Sequence, residues 1–180
     1  MQRTFARLAI LVLTSLGLVA AGLGSATGTS AETRGHGHGL TRVAIAPAVV
    51  KLVTKAGIAV SPIGDAHLIN FRGTVALKFP IKRVRGEGSR ISHTGGVLFE
   101  TKNSRVALKR FRINTDRGVV SALFNNAVRV DVFRLAESNS NLGKVKLRLT
   151  RQAAKALNNF FVPRAFSGGD TFGYATIFAK

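Results

Sequence analysis

The chain has 180 residues, with 27 basic and 8 acidic side chains, a formal charge of +19 and no cysteine. Disulfides, thiol catalysis and cysteine-ligated metals are therefore excluded, and stability must come from apolar burial. The charge exceeds the ~2–8 that solubility of a small domain requires, and a field of that sign attracts anionic partners at long range.

The first elements form a leader. Arg3 and Arg7 precede an apolar run at 8–24 and small residues at 25–31. Positive start, apolar centre and small-residue exit predict a secretory signal peptide at 1–31, cut after Ala31, with Ala26 as the other cleavage point. An uncleaved anchor is the competing reading of the apolar run. Removing the first 31 of 180 residues leaves 149, a size suited to one domain, and losing Arg3 and Arg7 takes the charge from +19 to +17. Residues 32–39, ETRGHGHG, read as a flexible mature N-terminus. His36 and His38 are weak metal candidates, since imidazole suits zinc, copper and nickel but no third ligand accompanies them.

The folded domain is expected over 40–180. A short helix is predicted over 46–58, with Val49, Leu52 and Val53 on one face and Gly57 as its stop. A strand at 59–64 is cut by Pro62 and Gly64. The run TVALKFPI, 74–81, alternates, placing Val75, Leu77, Phe79 and Ile81 on one face. A Gly-Glu-Gly turn follows at 86–88. In RISHTGGVLFE, 90–100, Ile91 and His93 share one parity and Val97 and Phe99 share one, with Gly95 and Gly96 marking a bend or bulge between them. A turn at 102–104 leads into RVALKRFRI, 105–113, where Val106 and Leu108 are out of phase with Phe111 and Ile113. A bulge near Lys109–Arg110 would restore the register. Turns at 115–118 and 125–126 frame strands at 119–124 and 127–135, with Val128, Val130 and Val132 on one face. After a polar loop, KVKLRLT at 144–150 turns Val145, Leu147 and Leu149 inward and Lys144, Lys146 and Arg148 outward. Thr150 caps a helix at 151–161 whose core stripe is Ala154, Leu157 and Phe161. Pro163 ends it, Gly168-Gly169 turns the chain, and 172–178 is the last strand. Leu-Thr-Arg occurs at 40–42 and again at 149–151, a weak hint of duplication.

These elements describe a mainly β (α+β) domain: an antiparallel β-sandwich or partly closed barrel of about eight short strands with two short helices.

The order of several motifs carries a resemblance. HTGGVLFE, a strand ending FRI, hairpins, an L-T-x-x-A-x-x-A-L-N helix, Phe160-Phe161, a Gly-Gly turn and a final strand follow one another over 90–178. In this order the chain resembles the secreted haem-uptake (HtaA-type) domains of actinobacteria and their small secreted relatives. The resemblance implies a haem pocket in which a tyrosine near the domain start ligates iron and a histidine supports it. His93 matches the supporting histidine, with Gly95, Val97 and Phe99 in step. No tyrosine precedes it; Tyr174, in the last strand, is the only one in the chain. The resemblance thus suggests a relative that keeps the fold and lacks the iron ligand.

Other chemistry is sparse. Asp65 and His67 stand two apart in DAHLIN, yet no nucleophile elbow, zinc helix or phosphate-cradling glycine loop is present. The chain is therefore expected not to be an enzyme. Its basic residues are better organised: Lys78, Lys82, Arg83 and Arg85, then Lys109, Arg110 and Arg112, then Lys144, Lys146 and Arg148. On neighbouring strands they would form a cationic surface for phosphate or carboxylate chains. The competing reading is solvated sheet faces with blunted edges. Specific nucleic-acid recognition is not expected, because stacking platforms are not evident. The reading that follows is a secreted, non-enzymatic protein, extracellular or wall-associated, held near anionic envelope polymer or an anionic small molecule by its basic faces. Haem binding or transfer at His93 and Tyr174 is the alternative, haem being the only cofactor in view.

Overall fold

The computed structural model describes residues 39–179. The expected leader, His36 and His38 lie outside the described residues, as does the 32–39 segment apart from Gly39. Eleven strands and two helices follow in order: β1 (Gly39–Ile45), α1 (Pro47–Lys55), β2 (Ala59–Ile63), β3 (His67–Phe71), β4 (Thr74–Arg85), β5 (Arg90–His93), β6 (Gly96–Glu100), β7 (Arg105–Asn114), β8 (Val119–Phe124), β9 (Val128–Glu137), β10 (Val145–Leu149), α2 (Arg151–Phe160) and β11 (Thr171–Ala179).

Every ladder is antiparallel. The path β7-β5-β4-β1-β11-β10-β9-β8 returns to β7, so eight strands close a barrel. Closure depends on β1, which pairs with β4 on one edge and with β11 on the other. The expected choice between sandwich and partly closed barrel thus resolves to a closed barrel, which leaves no free edge around the ring.

The remaining strands widen one part of the wall. β5 and β6 are one bent strand: β5 pairs with β4 and with the end of β7, whereas β6 leaves β4 and pairs with the start of β7. In the space so opened, β3 extends β4 and β2 extends β6. The bend lies at Thr94-Gly95. Gly95 has φ +69, and a Cβ there would stand 2.6 Å from the Ala66 nitrogen and 2.8 Å from the Ile63 oxygen. The β2–β3 turn therefore packs directly on this glycine, and a side chain would push it away.

Alternation decides what faces inward. Leu77, Phe79 and Ile81 from β4 are buried, as are Val106, Leu108, Phe111 and Ile113 from β7 and Leu147 and Leu149 from β10. The bulge expected at Lys109–Arg110 is present: the β7–β8 register shifts between Lys109 and Arg112, and Arg110 takes φ 52. A second shift, between Val120 and Ser121 of β8, lets Phe133 as well as Val132 face inward on β9. At α2, the Thr150 side chain accepts the Ala153 N–H at 3.1 Å, and its own hydroxyl donates to the Asp131 carbonyl at 2.7 Å. The two Leu-Thr-Arg segments have different roles, one inside strand β1 and one opening α2.

Candidate functional site

His93 sits at the end of β5, 4 % exposed. Its Nδ1 lies 3.2 Å from the Phe111 carbonyl of β7, and its Nε2 lies 2.7 Å from the Thr41 hydroxyl of β1. A carbonyl only accepts, so Nδ1 carries the proton and donates to it, and Nε2 accepts from Thr41. Burial pushes its pKa down from 6.5 to about 4, opposed by the Phe111 hydrogen bond. The ring is thus neutral, fully partnered and tied to three strands of the barrel.

Tyr174 is placed elsewhere. On β11 it lies between Ala44 of β1 and Lys146 of β10. Val43, Ile45 and Ala175 line the barrel interior with His93, and Tyr174, of the other parity, does not. The structure therefore does not bring Tyr174 to the pocket that His93 lines. His67 and Asp65 are both exposed, and no ion pair joins them. Among the described residues, no group of three potential metal-ligating side chains converges.

The basic residues divide. Lys82, Arg83, Arg110 and Arg112 surround one groove of about 460 Å³, whose lining also includes Ser92, His93, Thr94 and Gly95. All four are exposed. Register explains the gathering: Arg83 stands opposite Ser92 on β5, and Ser92 opposite Arg112 on β7. The bulge adds Arg110, whose N–H donates to the Gly95 carbonyl at 3.0 Å. Its own carbonyl accepts from Arg129 at 3.1 Å, and Arg129 also reaches the Ser121 hydroxyl at 3.3 Å. Arg129 is half-buried; burial, followed by the charges of Arg112 and Arg110, lowers its pKa. An arginine so shifted still keeps its proton at neutral pH. Sequence reasoning missed Arg129, because only the turn of β8 into β9 brings it under the bulge. Its outward parity opposite Val128, Val130 and Val132 was the available signal.

Among the described residues, no carboxylate lines this groove. The nearest acid by register, Asp131 opposite Ser121, is held by Arg117 at 3.0 Å. Among the described residues, five cations therefore share one outer surface without a counter-charge in the groove.

The other basic residues do not join them. Lys144, Lys146 and Arg148 belong to β10 and its approach, with Arg148 opposite Arg134 of β9. Arg85 stands opposite Arg90 at the β4–β5 tip. Lys109 lines a separate depression with Arg105 and Asn125. Lys78 lies opposite Arg42 on β1, whose guanidinium stacks on Phe71 at 3.8 Å. The single expected surface is thus one dense groove plus dispersed charges.

Comparisons with protein-family models, with curated proteins and with solved structures return no match.

Proposed function

We propose that this is a non-enzymatic binding protein that grips anionic polymer through the groove of Lys82, Arg83, Arg110 and Arg112. The observation that carries this reading is the gathering of these side chains, backed by Arg129, around a groove that no carboxylate lines among the described residues. Like charges placed together repel, so the arrangement stores unfavourable energy that an anion relieves. Guanidinium forks suit phosphate and carboxylate, giving charge-assisted pairs stronger than neutral hydrogen bonds.

The leader-like start and the overall charge of +19 support export to an anionic envelope. The resemblance to secreted HtaA-type domains agrees with that address. Haem ligation through His93 and Tyr174 draws no support from the geometry: both His93 nitrogens have protein partners, and Tyr174 lies on the opposite parity of its strand.

The test is binding to a soluble poly(glycerol phosphate) chain, followed by calorimetry across a salt series. Affinity should fall steeply as salt rises, because exposed charges are screened within about 10 Å at 0.1 M. Binding that ignores ionic strength would contradict the reading.

A further inference from the structure

A second site of different chemistry lies under α2. A cavity of about 200 Å³ separates the helix from β9 and from the ends of β7 and β8. Its walls include Val128, Val130 and Val132 of β9, Phe124 of β8, and Ala153 and Ala156 of α2. The helix also lines the space with Leu157 and Phe160, but at 153 and 156 it presents only alanine, and there the space is not filled. Phe99, Leu108, Phe133 and Phe172 line both this cavity and a smaller one of about 50 Å³ in the barrel interior. The aromatic contacts Phe99–Phe172 and Phe133–Phe172, at 6.2 and 5.2 Å, stand between the two.

Three observations point to an occupant. The volume exceeds that of engineered apolar cavities of about 150 Å³, which stay dry and take up benzene. The lining is almost wholly apolar, and water needs two to four polar partners to settle. The space also has a mouth: Val128 is 55 % exposed and Phe160 38 % exposed, and both line it, with the amides of Gln152 and Asn159 beside them. Val128 and Phe160 are two of the four large apolar side chains exposed among the described residues. A sealed packing defect would show no such opening.

We infer that this cavity binds a neutral hydrocarbon group, either a compact ring or the end of a short acyl chain. The site is separate from the cationic groove, and neither depends on the other. With no charged residue in its lining among the described residues, it selects by shape and apolar contact rather than by charge.

The experiment titrates the protein with benzene and, separately, with 1-octanol, following backbone amide shifts by NMR. Both probes are uncharged, so the groove cations have no part in the response. Saturable shifts should be confined to Val128, Val130, Ala153, Ala156, Leu157 and their neighbours. Response to benzene alone would define a ring site, and response to octanol alone a chain site. Ala156→Phe, which fills the space, should abolish the shifts. Val128→Phe narrows the mouth from an exposed position that leaves the core untouched, and should weaken uptake at least several-fold. It keeps the test decisive if the first variant fails to fold. Absence of saturable shifts with both probes, or uptake at native affinity in the folded variants, would overturn the inference.

Discussion

At the residue scale, His93 couples folding to pH. Its folded pKa, about 4, is below the 6.5 of the free side chain. Between those values the unfolded chain binds the extra proton and the folded one does not. The contribution to stability is therefore whole above pH 6.5 and lost as pH falls toward 4, amounting to about 3 kcal/mol. Chemical unfolding at several pH values should show this loss in the native protein. In His93→Ala the slope across that window should disappear. The variant should also lose about 2–4 kcal/mol at neutral pH, because the Phe111 carbonyl and Thr41 hydroxyl lose their partner. A His93→Ala variant as stable and as pH-dependent as the native protein would remove the histidine from this role. Gly95→Ala should cost about 2 kcal/mol or more, through positive φ and the clash with the β2–β3 turn. The two glycines of HTGGVLFE were legible as a bend. The histidine's partners were not, since Thr41 and Phe111 lie 52 and 18 residues away.

At the element scale, α2 and its cap set the wall of the apolar cavity. Thr150→Ala removes both the bond to Ala153 and the donation to Asp131. A loss of about 1–2 kcal/mol is expected on thermal unfolding. An unchanged melting temperature would show that the cap adds nothing. β4, β10 and α2 were readable because their apolar periods are clean, and the Lys109–Arg110 bulge because the period breaks there. β1 was not, for a physical reason: its inward Thr41 serves His93, and its outward Arg42 is shielded between Phe71 and Phe178. Polar groups on both faces hide the alternation. β3 was missed because His67, Leu68 and Asn70 are exposed, so the strand has almost no buried row to read. The Val120–Ser121 shift moves Phe133 inward after Val132, a change of phase that adjacent apolar residues do not reveal.

At the scale of the whole molecule, closure is made by the first and last strands, which meet along seven register positions. Such long-range pairing leaves no local trace, so hairpins were legible and the closed ring was not. The same closure sorts the cations, sending four to one groove and Lys144, Lys146 and Arg148 to another wall. The most direct measurement compares two variants with equal charge loss. One changes Arg83, Arg110 and Arg112 to Gln; the other changes Lys144, Lys146 and Arg148 to Gln. Affinity for poly(glycerol phosphate) is read at one fixed ionic strength. The groove variant should bind about tenfold more weakly or worse, as expected when charge-assisted contacts are lost, and the β10 variant should stay within about threefold of the native protein. Equal weakening of both would mean that net charge alone holds the polymer, and would contradict the groove as the binding site.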